Sequence, residues 1–333
     1  MTERLDELAR WLGSALGPAR YELAPASSDA SFRRYFRVRQ GEQTYIVMDA
    51  PPGHEDCRPF VAIARRFLGL GLHVPAVLAQ DMERGFLLLS DLGTCCYLDA
   101  LNADSVDGLY GDALEALWRL QSHCDNEAAQ LSLYDEALLL REMALFRDWF
   151  LDRHLMLTLS QSQAALHAQT CGLLVASALE QPQVCVHRDY HSRNLMVTAV
   201  NNPGILDFQD AVYGPITYDL VSLLRDCYIA WPRPQVEAWA LGYHARLTAS
   251  GLLRGVDATR FLRWFDWMGV QRHLKAVGIF ARLNIRDGKP GYLKDIPRSL
   301  GYMVGVSGRY AELAPLHTLL CEQVLPRIHE QAP

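Results

Sequence analysis

Residues 184–210 read V-C-V-H-R-D-Y-H-S-R-N-L-M-V-T-A-V-N-N-P-G-I-L-D-F-Q-D, and this stretch decides the fold. It contains short apolar runs and, between or directly after them, the polar residues Asp189, Asn194 and Asp207. Residues 184–186 and 204–206 predict two short strands, and N-N-P-G at 201–204 predicts a turn between them. We expect the two strands to pair and so to hold Asn194 near Asp207.

The spacing of these residues is similar to that of a kinase catalytic loop followed by a metal-binding aspartate. Asn194 follows Asp189 by five residues, and Asp207 follows the next short apolar run. The resemblance implies that Asp189 accepts the proton of an attacking hydroxyl. It also implies that Asn194 and Asp207 bind Mg²⁺, because their oxygens suit a hard cation that bridges the phosphates of ATP. The competing interpretation is a polar turn in an ordinary α/β domain.

The composition indicates a globular chain with two lobes. It has 333 residues, of which 50% are apolar, and this length is enough for two separate cores. The eight cysteines form no C-x-x-C pair, so we expect reduced core residues and neither a disulfide nor a zinc framework. The first residues are amphipathic, and no apolar run reaches the ~18 residues of a membrane helix. We therefore expect a cytoplasmic protein without a membrane partner.

Charge is divided unevenly along the chain. Residues 1–207 carry 17 Lys+Arg and 27 Asp+Glu, a net charge of −10, while residues 208–333 carry 15 and 11, a net charge of +4. These values sum to the net charge of −6. Neither part is basic enough to indicate nucleic acid as a partner. We also infer no obligate protein partner.

The pattern of apolar residues predicts an α+β chain with the bilobal fold of protein kinases. A helix over 2–16 comes first, and the small lobe is expected to hold a five-stranded antiparallel sheet with one inserted helix over 59–70. The five strands are expected over 21–24, 32–39, 44–48, 74–79 and 86–89. From residue 105 onward the pattern is helical, which predicts a larger, mostly helical lobe. We assign residues 1–93 to an N-terminal nucleotide-binding lobe and 94–333 to a C-terminal catalytic and acceptor-binding lobe.

Two further motifs extend the resemblance to the aminoglycoside phosphotransferase family, the small-molecule branch of the protein-kinase-like fold. They are L-D-F-Q-D at 206–210 and G-P-I-T-Y-D-L at 214–220. The second stands where protein kinases carry an activation loop and an A-P-E motif, and both of those features are missing. The resemblance therefore implies a small-molecule acceptor. It also implies that Asp219 supports the catalytic loop from the start of a helix.

A narrower resemblance is to the anomeric kinases of N-acetylmuramate and N-acetylglucosamine, which act in cell-wall sugar recycling. It rests on several motifs along the chain: S-D-A-S-F-R-R-Y-F-R at 28–37, Y-I-V-M-D-A-P-P at 45–52, L-L-L-S-D-L-G at 87–93, V-Q-R-H-L-K-A-V-G-I-F-A-R-L at 270–283 and R-D-G-K-P-G-Y-L at 286–293. This resemblance implies ATP-dependent phosphorylation of the C1 hydroxyl of these amino sugars. Two alternatives stay open. One is a kinase of another small hydroxylated acceptor, such as another sugar or an aminoglycoside. The other is a nucleotide-binding scaffold without turnover.

The predicted nucleotide site departs from the kinase pattern. The three lysines all follow residue 270, so no lysine of the first sheet can contact phosphate, and the helix over 59–70 has no acidic partner for one. Arginine can bind phosphate through two nitrogens, so we predict that Arg33 or Arg34, with Ser31, replaces the lysine. The alternative is a solvated edge strand. The predicted hinge consists of Leu89, Ser90 and Asp91, where backbone groups would pair with adenine, unless the segment is only a strand end.

Candidate acceptor-binding residues lie in the catalytic loop, after Asp207 and on the predicted helix over 258–283. They are His191, Arg193, Asp210, Gln271, Arg272 and Lys275. The polar residues of the helix can recognise hydroxyls or an acetamido group, and Arg272 or Lys275 can pair with the carboxylate of N-acetylmuramate. The alternatives are surface exposure of the loop residues and a solvated edge of the helix. His187 is expected to hold the loop without transferring protons.

Overall fold

The computed structural model describes residues 2–27, 33–124 and 131–331. Its packing separates into two compact units, each assembled from two segments of the chain. The first unit comprises residues 1–120 and 193–210, and the second comprises 121–192 and 211–333. The first contains a five-stranded antiparallel sheet, and the second is mostly helical. The predicted α+β, bilobal kinase-like architecture is therefore confirmed.

The first unit is built around the sheet, in which the first three strands lie side by side in chain order, followed by the fifth and then the fourth. Its elements are α1 (Thr2–Leu16), β1 (Glu22–Ser27), β2 (Arg34–Gln40), β3 (Gln43–Asp49), α2 (Cys57–Gly69), β4 (Val77–Asp81), β5 (Phe86–Ser90), α3 (Tyr97–Ala100), most of α4 (Val106–His123), β7 (Leu195–Met196) and β8 (Gly204–Ile205). β2 and β3 pair from Arg34 with Asp49 to Gln40 with Gln43, across a turn in which Gly41 has a φ of +62°. This positive φ explains the glycine, since other residues rarely adopt it.

Helix α1 covers one face of the sheet. Leu8 and Leu12 are fully buried and pack in one cluster with Val38, Val47 and Phe86 of the strands. Because side chains alternate along a strand, the residues next to these point to the opposite face. Of the two arginines predicted to contact phosphate, Arg34 begins β2 and Arg33 immediately precedes it.

Helix α2 is joined by aromatic packing to the loop that carries Asp207. The helix begins at Asp56, whose carboxylate accepts a hydrogen bond from the backbone N–H of Arg58 at 2.9 Å. The ring of Phe208 is fully buried, and its centroid lies 4.8 Å from that of Phe60 and 5.9 Å from that of Phe67. Phe208 directly follows Asp207, so these contacts fix the backbone of the metal-binding candidate against α2.

The second unit is organised around one long helix, α9. Its elements are α5 (Glu136–Leu145), a π-helical segment (Phe146–His154), α6 (Gln161–Leu179), β6 (Gln183–Val186), β9 (Val212–Pro215), α7 (Tyr218–Leu224), α8 (Arg233–Ala249), α9 (Ala258–Asp287), a 3₁₀ helix (Pro290–Asp295), α10 (Ile296–Ser307), a second 3₁₀ helix (Ala311–Leu313), α11 (Ala314–Leu319), a π-helical turn (Leu320–Val324) and α12 (Leu325–Gln331). α9 packs against α5, α6, α7, α8 and α10. Gly278 permits its close approach to α5, since a Cβ there would collide with the backbone of Leu145.

The predicted ribbon around the catalytic loop is wrong in its pairing. Val184–Val186 do form part of a strand, β6, but its partner is β9, with Val184 opposite Gly214. β8 pairs instead with β7, where Leu195 lies opposite Ile205. β8 therefore pairs with a strand closer in the chain, and β6 pairs with a strand that begins after residue 210. The apolar content of the strands alone does not reveal these partners.

The expectation of reduced cysteines is also wrong for one pair. Cys124 and Cys185 form a disulfide, with their Cα atoms 5.9 Å apart. The two residues are separated by 61 positions and follow no recognisable spacing, so only the fold brings them together. The remaining six cysteines are free.

The division into units differs from the predicted boundary at residue 93. Backbone hydrogen bonds connect the β7–β8 hairpin to the sheet-containing unit: the N–H of Val197 donates to Cys95 at 2.9 Å, and that of Ile205 donates to His73 at 2.7 Å. Residues 94–120 and 193–210 therefore pack with the first unit. Within the described ranges, no helix combines the length and the apolar character needed to cross a bilayer.

Candidate active site

Strand β6 leads directly into the loop that carries Asp189. The fully buried carboxylate of Asp219, in the first turn of α7, accepts hydrogen bonds from the backbone N–H groups of His187 at 2.6 Å and Arg188 at 3.0 Å. Further along the loop, the N–H of Ser192 donates to the buried carboxylate of Asp226 at 2.9 Å. The expected supporting role of Asp219 is confirmed, and Asp226 adds a second support that the sequence did not reveal.

His187 holds the loop from within. It is fully buried, and its Nδ1 accepts a hydrogen bond from the backbone N–H of Asp189 at 3.3 Å. Its ring packs edge-on against the ring of Tyr190, with centroids 5.6 Å apart. These contacts agree with the expectation that His187 orients the loop.

Asp189 lies in a strongly positive environment. Burial raises its pKa, but four nearby positive charges outweigh burial and hold the pKa below the usual range of an aspartate. These charges belong to Lys275, His191, Arg188 and Arg272. Asp189 is therefore ionised at neutral pH, which is the state required of a group that accepts a hydrogen bond from a hydroxyl.

The environment of Asp219 has the opposite effect. Burial raises the pKa of Asp219 to about 7, and the negative charge of Asp189 adds to the rise, although the two N–H groups that it binds oppose it. Asp189 and Asp219 thus differ in protonation behaviour because more cations lie near Asp189 than near Asp219.

The first unit holds the metal-binding candidates at the base of the β7–β8 hairpin. Asn194 precedes β7, and its backbone oxygen accepts a hydrogen bond from Leu206 at 2.8 Å. This bond extends the hairpin and brings the amide nitrogen of Asn194 to 3.5 Å from the carboxylate of Asp207. The expected proximity of Asn194 and Asp207 is confirmed, although a different strand pairing produces it.

The donor set of this hairpin fits Mg²⁺. The amide of Gln209 donates to the carboxylates of Asp207 at 2.8 Å and Asp210 at 3.3 Å, so a positively polarised group already lies between two carboxylates. One or two carboxylates with an amide oxygen are ligands that Mg²⁺ accepts, together with water and phosphate oxygens. No cluster of three or more His, Cys, Asp and Glu side chains that could hold a metal ion occurs within the described ranges.

The two arginines proposed for phosphate binding have different surroundings. Arg34 pairs with the fully buried carboxylate of Asp49, to which Arg4 of α1 donates at 2.8 Å. Asp49 thus joins α1 to the sheet through Arg4, and Arg34 pairs with the same carboxylate. Arg33 lies 3.4 Å from the carboxylate of Glu55. Burial lowers the pKa of Arg33, but the negative charges around it, including those of Asp207 and Asp210, leave that pKa above its usual value. Phosphate binding by Arg33 or Arg34 stays a prediction, and Ser31 lies outside the described residues.

The predicted hinge is a hydrogen-bonded strand end. The N–H of Ser90 donates to Ala76 at 2.9 Å, and the hydroxyl of Ser90 accepts from the N–H of Ala76 at 2.8 Å. The carboxylate of Asp91 binds the guanidinium of Arg37 at 2.7 Å and the N–H of Gly93 at 3.0 Å. These side chains stabilise the end of β5, and adenine binding by the backbone of Leu89, Ser90 and Asp91 stays a prediction.

The acceptor candidates divide into exposed and buried residues. Arg193 and Asp210 are exposed, and the half-buried ring of His191 lies edge-on to Tyr228, with centroids 5.3 Å apart. The three α9 candidates, by contrast, are buried: Gln271 is 0% exposed, Arg272 5% and Lys275 7%. Contact of these three residues with the acceptor stays a prediction. The apolar stripe in the sequence of α9 does not reveal that the polar residues beside it have partners inside the second unit.

Some residues of this site escaped the sequence analysis, above all Glu142 of α5. Glu142 is buried, with 5% of its surface exposed. Its carboxylate pairs with Arg188 and lies 3.1 Å from the amine of Lys275. The signal available was an acidic residue among the apolar residues of this helix. Such a residue predicts a buried partner but not its identity.

Solved structures with a similar fold include several aminoglycoside phosphotransferases. The gentamicin complex of APH(2")-IIa has a TM-score of 0.59 at 15% identity, covering 88% of this chain and 95% of that one. The GDP complex of aminoglycoside 2'-phosphotransferase-IIIa has a TM-score of 0.62 at 13% identity, covering 89% and 98%. At these identities the likeness concerns the fold alone.

Relatives of much higher identity cover nearly the whole chain. A protein of Pseudomonas aeruginosa is 50% identical over 329 residues, which is 95% of this chain and 96% of the relative. One of Pseudomonas putida is 49% identical, covering 96% of both chains, and one of Neisseria meningitidis is 43% identical, covering 97% and 96%. All three are named N-acetylmuramate/N-acetylglucosamine kinase.

The model of the phosphotransferase enzyme family matches residues 22–263. This range includes Arg33, the hinge candidates, Asp189, Asn194, Asp207 and Asp219. The match covers well over half of the 333 residues. The chain therefore belongs to the phosphotransferase enzyme family.

Proposed function

We propose that this chain is an ATP-dependent kinase that phosphorylates the anomeric C1 hydroxyl of N-acetylmuramate and N-acetylglucosamine. The observation that carries the proposal is the 43–50% identity, over at least 95% of the chain, to proteins named for kinase activity on these two sugars. The loop with Asp189 and the hairpin with Asn194 and Asp207 supply the side chains that this reaction requires. The proposed cellular role is cell-wall sugar recycling in the cytoplasm.

Asp189 is the proposed base. The C1 hydroxyl donates a hydrogen bond to its ionised carboxylate, the hydroxyl oxygen attacks the γ-phosphorus, and ADP leaves while Asp189 takes the proton. The positive charges around Asp189 keep the carboxylate ionised before the reaction. They also make it a weak base, so we expect the proton to move late, when the acceptor oxygen has already become acidic.

Asn194 and Asp207 are the proposed metal ligands, with Asp210 as a neighbour that binds metal or sugar. These side chains would hold Mg²⁺, which would supply positive charge to offset that of the ATP phosphates. Asn194 and Asp207 are held at a fixed separation by the hairpin, and the packing of Phe208 on α2 restrains the backbone on the far side of Asp207. Arg33 is the proposed phosphate-binding arginine, with Ser31 in the neighbouring segment, and Leu89, Ser90 and Asp91 are the proposed adenine contacts.

The charge around Asp189 supports a neutral or anionic acceptor. An aminoglycoside is a polycation, and the cations near Asp189 would repel it. His191 and Arg193 are the loop residues proposed to contact the sugar. Gln271, Arg272 and Lys275 are assigned an indirect role because they are buried. The proposed partner is thus a small amino sugar, with no role for nucleic acid, a membrane or an obligate protein partner.

The test is a coupled ADP-release assay with N-acetylmuramate, N-acetylglucosamine, other hexoses and a kanamycin-like aminoglycoside. We expect turnover with the first two and none with the aminoglycoside. The position of the phosphate is then read by ³¹P NMR, where a C1 phosphate is expected. Phosphorylation at another hydroxyl would contradict the anomeric assignment, and efficient turnover of the aminoglycoside would contradict the acceptor class.

A further inference from the structure

Arg188, the residue before the proposed base, has an unusual backbone conformation. Its φ is +77°, a region that residues other than glycine rarely adopt and that persists only where the surroundings enforce it. The backbone N–H of Arg188 is bound by Asp219 at 3.0 Å. Because Asp189 is the next residue, the direction of its carboxylate depends on how firmly Arg188 is held.

The side chain of Arg188 is held by a second group of residues. Its guanidinium pairs with the buried carboxylate of Glu142 on α5. The same carboxylate lies 3.1 Å from the amine of Lys275 on α9, and this amine donates to the hydroxyl of Tyr218 at 3.0 Å. Tyr218 precedes Asp219 in α7, so the contacts run from the side chain of Arg188 through the helices α5, α9 and α7 and return to its backbone.

We propose that Glu142 and Lys275 are positioning residues for phosphoryl transfer, which act by holding Arg188 in its left-handed conformation and so orienting Asp189. The inference rests on the proposed function, since it assigns Asp189 as the base. It replaces direct acceptor contact as the role of Lys275. Neither Glu142 nor Lys275 touches the reacting atoms in this proposal.

The balance of charge inside this cluster explains how Glu142 and Lys275 act together on Arg188. Glu142 is a single buried anion shared by two cations, Arg188 and Lys275. Burial raises the pKa of Glu142, but the charge of Lys275 and then that of Arg188 hold it below its usual value, so the carboxylate is ionised. Without its charge, Arg188 and Lys275 repel each other in a dry environment and Arg188 is free to leave its conformation. Removing the charge of Lys275 as well relieves that repulsion.

The experiment compares Glu142→Gln, Lys275→Met and the double variant Glu142→Gln/Lys275→Met in steady-state kinetics. We expect Glu142→Gln to lower kcat by about 10²-fold, since a small displacement of a catalytic group has effects of that size. KM values for ATP and for the sugar should change by less than about threefold, because ground-state contacts are untouched. The double variant should recover kcat about fivefold or more relative to Glu142→Gln, whereas independent losses would multiply.

Matched controls come from surface residues of the same unit. Glu312→Gln removes the carboxylate of an exposed pair with Arg263, and Lys294→Met removes an exposed lysine. Both should leave kcat and KM unchanged. Thermal unfolding of every variant separates loss of positioning from loss of folding.

Three results would overturn the inference. One is a folded Glu142→Gln variant that keeps more than about a tenth of the wild-type kcat, which corresponds to a small change in barrier. Another is a double variant with no recovery. The last is failure of both Glu142→Gln and the double variant to fold, which would assign Glu142 to the stability of the core. Failure of the proposed function would be recognised by a different result, since the wild-type chain would then leave both amino sugars unphosphorylated. The variants would in that case be compared on the acceptor that the wild-type chain does use.

Discussion

Removing the carboxylate of Asp219 should disable the catalytic loop and lower the stability of the chain. In Asp219→Ala the N–H groups of His187 and Arg188 lose the acceptor that lies 2.6 Å and 3.0 Å away. We assign about 2–3 kcal/mol to the buried bond and about 1–2 kcal/mol to the partly buried one, hence about 3–5 kcal/mol in all. Asp219→Asn keeps one acceptor oxygen and should lose roughly half of this amount.

The catalytic effect should exceed the effect on stability. Without its support the 187–189 segment no longer holds Asp189 in one position, and we expect kcat to fall by about 10²-fold or more in Asp219→Ala. Asp219→Asn should lie between this variant and wild type in both kcat and Tm. The affinity for ATP, measured by calorimetry, should change little, because the bonds of Asp219 are to the loop backbone.

Asp257→Asn provides the matched control. Asp257 also binds a backbone N–H, that of Arg260 at 2.8 Å, but it does so at the exposed start of α9. Aspartate and asparagine are similar helix N-caps, so Tm and kcat should stay near wild type. If Asp219→Asn and a folded Asp219→Ala both kept kcat within about threefold of wild type, about 0.65 kcal/mol, the loop would not depend on this carboxylate and the reasoning would fail.

Other predictions concern the base, the metal ligands, the phosphate contact and pH. Asp189→Asn should retain less than about a tenth of the wild-type kcat while still binding ATP, and Asp207→Asn should remove the Mg²⁺ dependence of ATP binding in calorimetric titrations. Arg33→Ala should raise KM for ATP more than KM for the sugar, whereas Arg34→Ala should lower Tm with little change in KM, because Arg34 pairs with a buried carboxylate on the α1 face. If neither variant altered the KM for ATP, the phosphate contact would lie elsewhere. Burial raises the pKa of Asp219 to about 7, so the stabilisation from its protonated form is complete below pH ~4 and is lost as pH rises to about 7. The Tm difference between wild type and Asp219→Asn should therefore narrow from pH 5.5 to 8, and a difference that widens would contradict the assigned pKa.

The first unit organises its nucleotide candidates without the lysine–glutamate pair of protein kinases. β3 ends in Asp49, which binds two arginines and so joins the sheet to α1. α2 has no acidic residue for a lysine and contacts Phe208 through aromatic rings instead. Apolar packing thus connects α2 to the loop of Asp207, and this contact is insensitive to salt and pH.

The sequence by itself determined the kinase-like architecture and predicted the candidate site. Asp189, Asn194 and Asp207 are its candidates because their spacing is local and because phosphoryl transfer requires a base and oxygen ligands. The five strands and the main helices followed from the period of apolar residues, which is also a local property. The supporting role of Asp219 came from its motif, and the hydrogen bonds to His187 and Arg188 agree with it.

Only the tertiary structure decided which residues are partners. Glu142 and Arg188 are 46 positions apart, and Cys124 and Cys185 are 61 apart, so no pattern along the chain relates them. The pairing of β6 with β9, and the burial of Lys275 on α9, likewise depend on the packing of whole elements. Hydrogen-bond ladders and buried ion pairs are formed by groups that meet in space, and a sequence pattern records what a residue needs but not which distant residue supplies it.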